Sequence, residues 1–309
     1  MSRPTRRAVV ATLGAAAAAA GGLAGAVPAR ATASVPRQAG APAAARPVAA
    51  EDSGSSRVPL RRAHAHNDYE HEHPLADALR HRFTSVEADV WLVGGELLVG
   101  HERDDLHPDR TLESLYLEPL LRRVTARHGS VYAGHTASLQ LLVDIKNSGA
   151  AAYRELHRQL RRYRSILSSA SGGKARIGAV TPVVSGDRAV RAPMEAQRHR
   201  YAFYDGRLDD LGTRAPAAFL SLISADWAST FDWTGEGAIP ADERAKLRDI
   251  VDEAHAHGRR VRFWGTPDAP GPERDALWHE LVAAGVDHIN TDDLAGLERF
   301  LSTFDYAWE

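Results

Sequence analysis

The chain has no cysteine. Disulfides, thiolate metal sites and cysteine nucleophiles are therefore excluded, and any chemistry must come from oxygen and nitrogen groups. A basic excess is missing as well, since 38 Lys and Arg stand against 40 Asp and Glu for a formal net charge of −2. The leader holds Arg3, Arg6, Arg7 and Arg30 and no acid, so the rest of the chain is more acidic still. A nucleic-acid partner, which needs a basic face, is not expected. Nor is a stable membrane span, because the apolar stretch from Ala11 to Val27 is short and Ala-rich. The oligomeric state is not readable.

What stands at the N-terminus reads as a targeting segment. Arg6-Arg7 precede a weakly apolar Ala/Gly core, and small-x-small sites follow at Ala29-Arg30-Ala31 and Ala31-Thr32-Ala33. This pattern predicts a twin-arginine export signal over 1–33 of a secreted bacterial protein, with a Sec signal as the alternative route. Residues 34–57, rich in Ala, Pro, Ser and Arg, have no hydrophobic period and predict a disordered linker. The remaining 58–309 has the length of one (β/α)₈ barrel of roughly 250 residues.

Within 58–309, short apolar runs alternate with longer amphipathic ones, the pattern of repeated βα units. Strands are predicted at Arg62–His66, Ser85–Val90, Leu139–Ile145, Ile177–Val184, Arg200–Tyr204, Leu220–Ser224, Arg260–Trp264 and His288–Asn290. Helices are expected over Leu112–Arg127 and over Ala241–His257, the latter stopping at Gly258. No internal repeat is present. An open doubly wound sheet is the alternative, but the Gly-rich loop it uses after its first strand is replaced by His64-Ala65-His66-Asn67-Asp68. The expected fold is α/β, a TIM-type (β/α)₈ barrel.

Five clusters fall at strand ends, where such barrels assemble their sites. His64 and His66 share a strand face and suit proton transfer or metal binding, or are solvated side chains of a polar strand end. Glu87 and Asp89, also two apart in an apolar strand, need a cation, either a hard metal such as Mg²⁺ or Ca²⁺ or a buried arginine. A hairpin turning at Gly94-Gly95 brings His101 back towards them. Asp144 and Lys146 form either a simple ion pair or a metal ligand beside a phosphate-holding cation. The last strands carry Arg262-Phe263-Trp264 and Asn290-Thr291-Asp292, with Trp264 and Asn290 as candidate pocket residues.

The order His66, Glu87-x-Asp89, His101, Asp144-x-Lys146 resembles the glycerophosphodiester phosphodiesterase superfamily. Its altered inheritance of mitochondria protein 6 branch is the nearer likeness, through His66-Asn67-Asp68-Tyr69, Val86–Leu92, Glu96–His101, Thr111–Tyr116, Val143–Lys146, Thr181–Val184, Val261–Trp264 and Asn290–Leu294. The resemblance implies one divalent cation, Mg²⁺ or Ca²⁺, on Glu87, Asp89 and Asp144. It implies His66 and His101 as general acid and base, and Lys146 as stabiliser of the transition-state charge. Asn67 stands where the parent family's His-Arg-Gly has the arginine that grips phosphate, and Asp144 stands where many members have glutamate. The implied activity is hydrolysis of a glycerophosphodiester or (lyso)phospholipid-type phosphodiester. Two other functions remain, a barrel that binds phosphodiesters without turnover and an amidohydrolase-type zinc hydrolase using His64-x-His66.

Overall fold

The computed structural model describes residues 58–304; the expected signal at 1–33 and linker at 34–57 lie outside them. Eight strands form the frame: β1 (Leu60–Ala65), β2 (Phe83–Val93), β3 (Leu139–Ile145), β4 (Val180–Gly186), β5 (Phe203–Gly206), β6 (Leu220–Asp226), β7 (Arg260–Trp264) and β8 (His288–Thr291). Each pairs in parallel with the next, and β8 pairs with β1. The sheet therefore closes into the expected barrel and leaves no free edge.

Side chains alternate along each strand, so one set faces the surrounding helices and the other the lumen. Val86, Ala88, Val90, Val261 and Phe263 belong to the outer apolar core. Glu87 meets Arg262 of β7, a strand that is not its neighbour in the sheet, which fixes Ser85, Glu87 and Asp89 on the inner face. The lumen is consequently rich in polar groups, and it is lined by charges that must find partners inside it.

The hairpin forms as expected. Residues Glu96–Val99 return antiparallel to β2, with Val90 opposite Val99 and Leu92 opposite Leu97. Gly94 and Gly95 both take positive φ, 59° and 89°, as a two-residue hairpin turn requires. The helix expected over Leu112–Arg127 begins as a π-helical turn, Glu113–Leu117, and continues as α-helix Glu118–Ala126. Pro119 explains this, because without an N–H it cannot close the usual i→i−4 bond to Leu115. The α-helix Ala241–Ala256 ends at Gly258, φ 69°, as predicted.

Two predicted strands are shifted. Ile177 is exposed, and β4 starts only at Val180. Residues 199–200 belong to a small antiparallel sheet with 169–171 and 174–176, outside the barrel, while β5 starts at Phe203. Short apolar runs of this kind carry no local signal that separates a barrel strand from a side-sheet strand. Among the described residues no helix is long and apolar enough to cross a membrane.

Candidate active site

The C-terminal ends of β1, β2, β3, β7 and β8 meet at one mouth of the barrel. Glu87, Asp89 and Asp144 each place a carboxylate oxygen there, all within 4.8 Å of one another. Lys146 Nζ stands 2.9 Å from Asp89 Oδ2 and 3.3 Å from Asp144 Oδ1. Arg262 Nη1 donates to Glu87 Oε2 at 3.0 Å. Three carboxylates thus face two cations, which leaves one negative charge unbalanced in a water-poor site. Burial, followed by the charge of Glu87, pushes Asp89 up to about 6 even against Lys146. Burial also raises Asp144. Glu87 goes the other way: burial opposes its charge, but the Arg262 guanidinium holds the carboxyl far below its ordinary range.

Asp89 divides its two oxygens. Oδ2 accepts from the Tyr69 hydroxyl at 2.7 Å and from Lys146, and it lies 3.2 Å from His101 Nδ1. Oδ1 is buried and has no hydrogen-bond partner among the described residues. An orphaned carboxylate oxygen inside an acidic cluster fits a hard divalent cation, which takes oxygen ligands and would neutralise the surplus charge. The residues present therefore fit the group expected of them.

Two imidazoles flank the cluster. His66, just beyond β1, has Nδ1 2.8 Å from Asp292 Oδ1 and makes no hydrogen bond through Nε2 among the described residues. Burial works against its positive charge, but the Asp292 hydrogen bond and the Glu87 charge raise its pKa overall. His101, half-exposed, directs Nδ1 at Asp89 Oδ2 and at the Tyr69 oxygen 3.1 Å away. The hairpin holds it there through Gly100 N, which donates to the Asp89 carbonyl at 3.2 Å.

His64 cannot stand in for His66. Its Nε2 accepts from Arg262 at 2.8 Å, and since a guanidinium only donates, the ring proton sits on Nδ1, 2.6 Å from Ser85 Oγ. The 3.4 Å approach of that bare Nε2 to Glu87 is then no hydrogen bond. Burial, with Arg262 beside it, lowers its pKa to about 4. Both nitrogens are occupied, which also speaks against zinc on His64-x-His66.

The sequence carries an AIM6-like phosphodiesterase domain over residues 55–205 and a match to the glycerophosphoryl diester phosphodiesterase family over 260–295. Altered inheritance of mitochondria protein 6 of Eremothecium gossypii is 33% identical over 273 residues, 78% of this chain and 69% of that protein. The homolog from Arthroderma benhamiae is 32% identical over 260 residues, 75% of this chain and 81% of its own. The chain belongs to the altered inheritance of mitochondria protein 6 family. A glycerophosphoryl diester phosphodiesterase from Parabacteroides distasonis superposes with a TM-score of 0.49 at 12% identity, covering 81% of this chain and 88% of its own.

These family relatives, and a third from Kluyveromyces lactis, are fungal. The expectation of a secreted bacterial protein is thereby corrected. Its basis, paired arginines before an acid-free Ala-rich stretch, is a composition shared by several targeting routes and does not identify a kingdom.

The remaining family residues fall at different depths. Asn67 takes positive φ, 43°, and its Oδ1 lies 3.1 Å from the Tyr69 hydroxyl, so it borders the site. Trp264 ends β7 and is 38% exposed at the mouth. Asn290 is buried beside His64 in register, below the mouth, with Oδ1 unpartnered. Sequence reasoning gave no role to Tyr69, Arg262, Asp292 or Gly186. Gly186 (φ +81°) ends β4, and a Cβ there would lie 2.6 Å from Asp144 Oδ1 and 2.3 Å from the Ile145 carbonyl. Period-two alternation on β7 could have flagged Arg262, which shares a strand face with Arg260 and stands between the apolar Val261 and Phe263.

Proposed function

We propose that this protein is a metal-dependent phosphodiesterase acting on a glycerophosphodiester or (lyso)phospholipid-type substrate. Glu87, Asp89 and Asp144 would hold one Mg²⁺ or Ca²⁺, and the observation that carries this is the orphaned Asp89 Oδ1 within the carboxylate cluster. When bound, the cation supplies neutralisation of a phosphate oxygen.

The residues do the rest. Lys146, kept protonated by its two carboxylate neighbours, lies beside the cluster as a point charge for a non-bridging phosphate oxygen. His101 takes the proton from the attacking oxygen, a water or a neighbouring substrate hydroxyl. His66, protonated through its bond to Asp292, gives its Nε2 proton to the departing alkoxide as the P–O bond breaks. Arg262 holds Glu87 in place and, with the lost phosphate-gripping arginine replaced by Asn67, is the guanidinium nearest the cluster. Trp264 at the rim offers an apolar surface to the alcohol portion.

The test is ³¹P NMR of wild-type protein, loaded with Mg²⁺ or Ca²⁺, against a panel of glycerophosphodiesters and lysophospholipids. A phosphomonoester product indicates attack by water, and a cyclic phosphate indicates attack by a substrate hydroxyl. His66→Ala and His101→Ala should each lose about 10²- to 10⁴-fold in turnover. Retention of every substrate signal by folded, metal-loaded wild type would leave a phosphodiester-binding barrel instead.

A further inference from the structure

The opposite end of the barrel carries a second group of charges that the proposed reaction does not use. A cavity of about 380 Å³ opens at the N-terminal ends of β1, β2, β7 and β8, among Arg61, Arg62, Thr84, Arg260, Asp287 and His288. Arg260 begins β7 and Trp264 ends it, so roughly 13 Å of strand separates this cavity from the candidate active site.

Charge in the cavity is unbalanced. Three guanidinium groups line it, and among the described residues none of the three forms an ion pair. Arg62 donates to the Val286 carbonyl, and Arg260 Nη1 donates to His288 Nε2 at 3.0 Å. Asp287, the carboxylate in the lining, is drawn aside by the Val261 amide and His255 Nε2, each 2.8 Å from its Oδ2. Arg61 is exposed and Arg62 and Arg260 are partly exposed, so the cost here is the mutual repulsion of three like charges around one cavity, and it falls when an anion joins them.

A second observation points the same way. His288 is only 3% exposed. Because Arg260 can only donate, His288 accepts at Nε2 and carries its proton on Nδ1, and that buried nitrogen has no partner among the described residues. His288, a residue of the lining, thus keeps an unused N–H donor close to guanidinium groups that have no counter-ion, and guanidinium forks suit a tetrahedral oxyanion.

We propose that this cavity is a second, non-catalytic binding site for a small oxyanion of the phosphate class. The site is independent of whether the opposite mouth cleaves phosphodiesters. Arg260 and His288 form its floor, and Arg61 and Arg62 close on the anion from the strand entrances.

Isothermal titration of inorganic phosphate into the metal-free full chain, at constant ionic strength set with chloride, tests it. Lys146→Ala removes the phosphate-holding cation at the active end, and binding should persist in that variant. Arg260→Gln should weaken it about tenfold or more. Arg61→Gln, at an exposed position where folding is not at stake, should weaken it several-fold, and this variant decides if Arg260→Gln fails to fold. Absence of phosphate binding overturns the proposal. So does binding that disappears with Lys146→Ala and ignores Arg61→Gln and Arg260→Gln.

Discussion

Asp292 illustrates how much one surface carboxylate can govern. It lies 60% exposed, yet it fixes the Nδ1 side of His66 and leaves Nε2 open for the proposed proton transfer. Its backbone N–H is itself held by Asp268 Oδ2 at 2.7 Å. Since Asp292 raises the His66 pKa, the protonated form to which we assign donation to the leaving group survives to higher pH. Removing that carboxylate lowers the pKa, so activity should fall away at lower pH on the alkaline side. A kcat/KM profile of Asp292→Asn should show this displaced alkaline limb together with a lower plateau. An unmoved limb would separate Asp292 from the His66 titration.

Asp68 makes a second prediction at the residue scale. It is fully buried, accepts from Leu75 N at 2.6 Å and from the Tyr116 hydroxyl at 2.9 Å, and leaves Oδ1 without a partner among the described residues. Burial pushes its pKa up to about 7 in the folded protein. An unfolded aspartate titrates near ~3.9, so between roughly pH 4 and 7 the folded state binds the proton that the unfolded state has released. This group's contribution to stability therefore declines as pH rises through that window. Denaturant melts across pH 4–7 should show a shallower decline for Asp68→Asn than for wild type.

At the scale of elements, the end of β4 shapes the carboxylate cluster without adding a carboxylate to it. Gly186 turns with positive φ directly beside Asp144, and Asp187 then reaches back to the helix Gly149–Arg162 through Gly149 N at 2.8 Å. Gly186→Ala combines a strained φ with a clash against the Ile145 backbone. It should cost about 1–3 kcal/mol in stability and weaken divalent-cation affinity by displacing Asp144. Calorimetric melting and a metal titration on the same variant check both halves. Unchanged cation affinity would mean that Asp144 adapts.

The elements also show what could be read beforehand. His66, Glu87, Asp89, His101, Asp144 and Lys146 were legible because each sits at the end of a strand whose apolar run is local. Their convergence followed from closing the barrel. The partners Asp292 and Arg262 were not legible as such, since they lie 226 and 198 positions from the histidines they touch. Only register brings them together. The side sheet containing 199–200 was missed for the same reason, because its pairing links residues about thirty positions apart.

For the whole molecule, barrel closure concentrates charge in the lumen. One end holds surplus acid around Asp89, and the other holds surplus guanidinium around Arg260. The AIM6-like phosphodiesterase domain, residues 55–205, contains the acidic cluster. Binding of a divalent cation there should also raise the melting temperature, because the ion binds the folded cluster and the unfolded chain has none.

The most direct measurement is hydrolysis of a chromogenic phosphodiester by EDTA-stripped protein before and after readdition of Mg²⁺ or Ca²⁺, with Glu87→Gln beside it. Stripped wild type should show no turnover, the cation should restore it, and Glu87→Gln should not recover. Full turnover without a cation, or recovery in Glu87→Gln equal to wild type, would contradict the proposed metal dependence.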